Sequence, residues 1–158
     1  MKILKFGGTS VANANNIKLV LSIVENTAAT STKLVIVVSA FSGITDLLIL
    51  AASKAASKDI TFKDVVSQIE EKHKEVIEEL IISSKQKILE KVINSDINHL
   101  KTLLDGCFLL GELSNRTSDT IMGFACFTIF GFAVNIPLTS VQISSISAFN
   151  APAIMAAV

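Results

Sequence analysis

The first forty or so residues constrain the fold more than any other stretch. Ile3, Leu4 and Phe6 form a short apolar segment interrupted by Lys5, and Gly7-Gly8-Thr9-Ser10 follow at once. Asn13 to Asn16 offer helix caps. Ile17, Val20, Leu21 and Val24 then recur at i, i+3, i+4 and i+7, the spacing of one apolar helix face. Leu34-Val-Ile-Val-Val38 is a continuous apolar run, suited to a strand buried on both faces of a parallel sheet. Strand, helix and strand within residues 3–38 make a βαβ unit, expected to be right-handed. Both strands end in polar, glycine-bearing loops, Gly7–Ser10 and Ser39–Thr45, and a parallel pairing puts those loops on one rim. In open α/β sheets ligands bind beyond the carboxyl ends of the strands. The fold class that follows is α/β: a mostly parallel sheet sandwiched by helices.

A strand that runs into a glycine pair ahead of a helix can build an anion site. Glycine lets the backbone turn tightly and approach a ligand closely. Free amides and a helix N-terminus favour negative charge. Lys5 adds a full positive charge, while Thr9 and Ser10 add hydroxyl donors. The loop is not a Walker A loop, because no Gly-Lys-Ser/Thr follows, and it lacks the third glycine of a dinucleotide-binding fingerprint. From the pattern alone, an ordinary strand–helix turn with Lys5 as a solvated edge residue explains it equally well.

The middle of the chain reads as helical. Thr45 or Asp46 can cap a helix from Leu47 to about Ser57, and Lys58-Asp59 reads as a turn. Thr61 to Asp64 resembles a capping box. Val66, Ile69, Val76, Ile77 and Leu80 follow at helical spacing, with Glu70, Glu71, Lys72, Lys74, Glu75, Glu78 and Glu79 as the solvated face. His73, in this charged segment, is expected at the surface or boundary. Two further helices are expected, about Lys85–Ile93 and Ser95–Cys107, the second with a stripe of Ile97, Leu100 and Leu104. This block, residues 61–107, shows no chemistry of its own. The tail differs: residues 120–158 carry no charged side chain, where about a quarter of residues in a soluble domain are charged. Ile121–Leu138 is apolar, but Thr128, Asn135 and Pro137 interrupt it and no lysine or arginine flanks it closely, so no membrane span is expected.

Composition narrows the partners. Fourteen basic and 14 acidic residues cancel, and Trp and Tyr are absent, which argues against a nucleic-acid partner. Cys107 and Cys126 stand in no metal or redox spacing, and His73 and His99 stand alone, so no metal site is expected. With no apolar run of signal length at the N-terminus, these cysteines point to a reducing cytoplasm.

Three stretches carry a family resemblance. Lys5-Phe6-Gly7-Gly8-Thr9-Ser10-Val11 resembles the opening signature of the aspartokinases, within the wider amino-acid kinase family. Val37 to Leu48 is similar to that family's second glycine-containing loop, and Leu109 to Asp119 to the stretch leading into its substrate-binding helix. The resemblance covers residues 1–124, with 61–107 as the family's helical insert, and fits best the kinase part of bifunctional aspartokinase/homoserine dehydrogenase chains. It implies phosphoryl transfer from ATP, with Mg2+, to the β-carboxylate of L-aspartate, giving 4-phospho-L-aspartate, the entry to lysine, threonine and methionine synthesis. Lys5 would be the catalytic cation; Lys5, Gly7, Gly8, Ser10 and Ser39 would hold ATP phosphates; Thr9 and Thr45 would hold aspartate. Arg116, Asp119 and Glu112 are expected in helix-entry, surface or structural roles. The pattern breaks at Phe124-Ala125-Cys126, where the family's substrate-contacting glutamate would fall on Cys126. Residues 125–158 are therefore expected to be divergent or translated out of the ancestral frame. The family's later substrate stretch, adenine pocket and regulatory domains are not in these 158 residues. The chain is expected to be an N-terminal piece, incomplete at the C-terminus and inactive alone, and to self-associate. The alternative is a catalytically dead module that binds phosphate or a partner chain.

Overall fold

The computed structural model describes residues 1–31, 33–133 and 141–145. The elements are β1 (Lys2–Phe6), α1 (Ala14–Ala28), β2 (Leu34–Val38), α2 (Ile44–Ala56), α3 (Phe62–Leu80), α4 (Ser83–Leu110), α5 (Asn115–Ala133) and β3 (Val141–Ser145). The sheet has the order β1-β2-β3 and both pairings are parallel, Lys2 opposite Leu34 and Leu34 opposite Val141. This is the α/β class expected from the sequence. The strand β3 was not among the expected elements, and residues 134–140 and 146–158, which hold the rest of the atypical tail, lie outside the described residues. So does part of the apolar stretch Ile121–Leu138. No helix among the described residues is long and apolar enough to cross a membrane.

Paired residues on neighbouring strands point to the same face, and successive residues to opposite faces. Leu4, Phe6, Leu34 and Ile36 therefore share one face, and Phe6, Leu34 and Ile36 are buried. Ile3, Lys5, Val35 and Val37 share the other, where Ile3 is 62% exposed and both valines are half-buried. Burial on both faces, expected for Leu34–Val38, is thus complete only at Leu34 and Ile36 on one face, and Val35, Val37 and Val38 are half-buried. The reason lies in how the helices pack, chiefly on one another: α2 meets α3, α4 and α5. Its inward residues Ala51, Ala52 and Ala55 are small and buried, which lets three neighbours approach its backbone. Each fully buried leucine or isoleucine in this cluster, such as Ile44, Leu48 and Ile69, contributes about 1.5–3 kcal/mol of transfer free energy.

Several helix boundaries differ from expectation. A single helix, α4, replaces the two expected over 85–107, because Leu89, Ile93, Ile97, Leu100, Leu104 and Cys107 form one unbroken stripe at spacings of three and four. That stripe overrides the weak helix propensity of Asn94 and Ser95, a matter of tenths of a kcal/mol each. The helix α2 starts at Ile44 and is capped by Gly43, not by Thr45 or Asp46. Thr61 does sit at the start of α3, but its side chain makes no cap. Its hydroxyl donates instead to Asp59 Oδ1 at 2.6 Å, and Lys54 Nζ holds Asp59 Oδ2 at 2.7 Å. His73 is fully buried on the inner stripe of α3, with Phe62, Val65, Val66, Ile69, Val76 and Ile77, and is not the surface or boundary residue expected. Its position on that stripe, four residues after Ile69 and four before Ile77, outweighs the charges beside it in sequence.

Candidate functional site

β1 and β2 end side by side. Phe6 pairs with Val38, and the Ser39 amide donates to Phe6 O at 3.0 Å, so both rim loops start from one point. They also touch. A Cβ placed on Gly8 would lie 3.3 Å from Ala40 O and 3.9 Å from Ser39 Oγ. The absence of a side chain at Gly8 is what lets the two loops close on each other. Gly7 is different: a Cβ there would meet nothing within 4 Å, and its φ of −77° and ψ of 173° suit any residue. Packing does not require glycine at position 7, and the space beside it is open to a ligand.

The chain does not pass straight from the glycines into α1. Gly7 precedes a 3-10 turn, Gly8–Val11, closed by the Ser10 amide donating to Gly7 O at 2.9 Å. The helix α1 follows at Ala14, with Asn13 Oδ1 accepting from the Asn16 amide at 2.9 Å. Asn16 Nδ2 in turn donates to Thr9 O at 2.8 Å, which ties the loop to α1. The helix N-terminus expected beside the glycines is therefore set back and already capped.

The rim gathers the residues singled out in the sequence. Gly7, Gly8, Thr9 and Ser10 lie on the first loop, and Ser39 opens the second. Thr45 lies in the first turn of α2, half-buried. Lys5 is exposed, opposite Val37 and on the more open face of the sheet, one residue before β1 ends. The second loop turns into α2 through Gly43, whose φ of +80° is the left-handed region that favours glycine. Among the described residues, no three His, Cys, Asp or Glu side chains gather to hold a metal ion.

Sequence reasoning missed two contributors from α3. Lys72 was assigned to a solvated face, yet a methyl group on Gly43 would lie 3.4 Å from its Nζ. A lysine cation thus stands beside the second loop. His73 packs its ring on Phe41 of the same loop, centroids 5.3 Å apart. The apolar spacing from Ile69 to Ile77 could have put His73 on the buried stripe, but the approach of Lys72 and His73 to this loop depends on how α3 docks against α2.

The third stretch forms a helix junction. Gly111 ends α4 with φ +75°, and Ser114 Oγ accepts from the Thr117 amide at 3.2 Å at the start of α5. Arg116, Asp119 and Glu112 are exposed here. A shallow groove at this junction, lined by Thr102, Cys107, Leu110 and Thr117 among others, contains none of the rim residues.

Comparison with known proteins agrees with this geometry. The amino acid kinase family matches residues 1–121. A bifunctional aspartokinase/homoserine dehydrogenase 1 of Arabidopsis thaliana is 32% identical over 119 residues, 75% of this chain and 13% of the relative. Aspartokinase 1 of the same plant is 31% identical over 152 residues, 94% of this chain and 25% of the relative. Among solved structures, aspartate kinase of Clostridium acetobutylicum superposes with a TM-score of 0.61 at 25% identity, covering 86% of this chain and 29% of that one. The chain therefore spans between about an eighth and a quarter of the length of these two curated relatives. With its parallel sheet, its paired glycine loops and a family match over three quarters of its length, this chain belongs to the amino acid kinase family, and its relatives are aspartokinases.

Proposed function

We propose that residues 1–124 supply the phosphate rim and part of the aspartate site of an aspartate kinase. The reaction is transfer of the ATP γ-phosphoryl group to the β-carboxylate of L-aspartate, giving 4-phospho-L-aspartate. The observation that carries this reading is the contact of the two glycine loops at the ends of adjacent parallel strands, with Lys5 beside them. A carboxylate nucleophile is already ionised near neutral pH, so no general base is required. What is required is alignment and charge neutralisation, because two anions must meet.

In this reading Lys5 neutralises charge on the transferring group. The backbone at Gly7 and Gly8 and the hydroxyls of Ser10 and Ser39 receive phosphate oxygens, and Thr9 and Thr45 hold aspartate. Magnesium, if bound with the nucleotide, would supply positive charge to offset that of the phosphates, a role that needs few protein ligands. The same reading places the protein in the cytoplasm as a homo-oligomer. Cys126 stands where a substrate-contacting glutamate is expected, so the 158 residues alone should bind nucleotide without turning aspartate over. Binding without turnover would leave the kinase reading standing, with this chain as half a site; the second reading is a catalytically dead phosphate-binding or association module.

The test is calorimetric titration of the chain with Mg–ATP, paired with aspartate-dependent ADP release. Wild type should bind ATP, and Lys5→Ala should weaken binding at least about tenfold, or about 1.4 kcal/mol. Equal binding by the two proteins would overturn the assignment of the rim. Turnover that needs aspartate and vanishes in Lys5→Ala would establish the full reaction.

A further inference from the structure

Among the described residues the core holds one buried polar side chain, that of His73, with no exposed surface. Its Nδ1–H donates to Ile69 O, one turn back on α3, at 2.6 Å. That bond leaves Nε2 as a bare acceptor, and Nε2 is buried with no hydrogen-bond partner. The ring lies against Phe41, with centroids 5.3 Å apart and planes tilted by 41°. Phe41 is 6% exposed and is the large apolar side chain between Ser39 and Gly43. Its carbonyl accepts from the Ile44 amide at 3.1 Å, the bond that leads into α2. The second rim loop is thus anchored by a ring that rests on an imidazole.

That imidazole is suited only to its neutral form. Protonating Nε2 would bury a cationic N–H with no acceptor, which costs far more than a neutral group in the same place. Burial accordingly holds His73 below the usual histidine range, and the Lys72 charge beside it acts in the same direction. The carboxylates on α3 and on the elements packed against it give no relief. Glu70 is engaged by Lys74 and Lys101, and Glu79 by Lys18 of α1. On α2, Asp46 is exposed and Lys54 is held by Asp59; on α4, burial pushes the Asp96 carboxyl up against a smaller opposing effect of His99, and Asp105 lies 3.9 Å from Lys63.

We propose that His73 is a positioning residue for the second rim loop: its neutral ring seats Phe41, and protonation releases the segment from Ser39 to Gly43. The contact stands on geometry alone. Its consequence for ligands rests on the reading of that loop as half of a phosphate rim. For a group whose folded pKa is lowered, the stabilising contribution is complete above the unfolded value, about 6.5 for histidine, and is lost as pH falls below it.

The experiment is amide hydrogen exchange on the 158-residue chain at about pH 8 and about pH 5.5, corrected for intrinsic chemistry, where an ordinary histidine changes charge. The proteins are wild type, His73→Phe and His73→Leu. In wild type, protection at residues 39–47 should fall at least about tenfold on acidification, relative to α4, while both variants keep theirs. An identical response in wild type and variants would overturn the proposal. So would a folded-state titration of the His73 ring, distinguished with His99→Gln, at the ordinary histidine midpoint; that measurement decides the matter even if neither His73 variant folds. Mg–ATP titration at both pH values separates the two readings. Acid loss of loop protection with unchanged ATP affinity would support the positioning role and overturn the phosphate-rim reading of that loop.

Discussion

Replacing Gly7 and Gly8 one at a time by alanine should have opposite effects on stability, although the two are adjacent and share a motif. At Gly8 the new methyl would lie 3.3 Å from Ala40 O, closer than an ordinary contact, so the two rim loops must move apart by a few tenths of an ångström. Overpacking of this kind costs about 1–3 kcal/mol. Against it stands the usual gain of about 0.4–1 kcal/mol from removing glycine's freedom in the unfolded chain. The net for Gly8→Ala is a loss of about 1 kcal/mol, taking the middle of both ranges. At Gly7 the methyl meets nothing within 4 Å and the backbone is extended, so only the gain remains. Urea unfolding followed by circular dichroism measures the difference. With m of about 1–3 kcal/mol per molar, the midpoints of the two variants should separate by roughly 1 M. Function should reverse the order of benefit. The Gly7 methyl enters the space assigned to phosphate, so Gly7→Ala should lose at least about tenfold in Mg–ATP affinity while gaining stability. Destabilisation by Gly7→Ala as large as by Gly8→Ala would refute the claim that loop contact selects Gly8. Wild-type ATP affinity in Gly7→Ala would refute the placement of phosphate at Gly7.

Other outcomes follow from particular contacts. Leu104, with no exposed surface in the C-terminal part of α4, should cost about 2–5 kcal/mol when truncated to alanine, read as a lower urea midpoint at unchanged m. Gly111→Ala should cost about 1–2 kcal/mol, because φ is +75° and the methyl would lie 2.7 Å from the flexible Lys58 Cε, which must move aside. The hydrogen bond from Lys74, helped by Lys101 of α4, holds the Glu70 carboxyl below its usual range. Its contribution is therefore present above the ordinary glutamate pKa and lost as pH falls through the lowered one; Glu70→Gln should flatten the acid limb of a stability–pH curve, by about 0.5 kcal/mol or less after solvent screening. Lys72→Met should weaken Mg–ATP binding a few-fold in low salt and leave the urea midpoint unchanged, with the difference shrinking as the Debye length falls to about 8 Å at physiological ionic strength.

Local pattern was enough wherever one strong signal decided the outcome. The apolar runs at Ile3–Phe6 and Leu34–Val38, joined by a helix-period stretch, specify two adjacent parallel strands. Parallel pairing then requires Gly7–Ser10 and Ser39–Thr45 to leave the sheet on the same side, which is why that rim could be named from residues alone. A cap for α1 within Asn13 to Asn16 was legible for the same reason, since capping is a contact between residues three apart, and Asn13 makes it.

Contacts distant in sequence were not legible. Glu-Glu-Lys-His-Lys by itself does not distinguish a solvated histidine from a buried one; the spacing from Ile69 to Ile77 puts His73 on the apolar stripe, and the elements that stripe meets are decided by the docking of α3 on α2 and α4. The unity of α4 across Asn94-Ser95 was likewise hidden, since propensity there is weak and tertiary burial of Ile93 and Ile97 outweighs it. The sequence by itself determined the βαβ start, the glycine loops at the strand ends and the family those loops resemble, all of which depend on residue order over short distances. The tertiary structure alone decided that Gly8 is held by the second loop while Gly7 stands open. It alone brought Lys72 and His73 to that loop, because those contacts exist only once α3 has packed on α2 and buried its stripe.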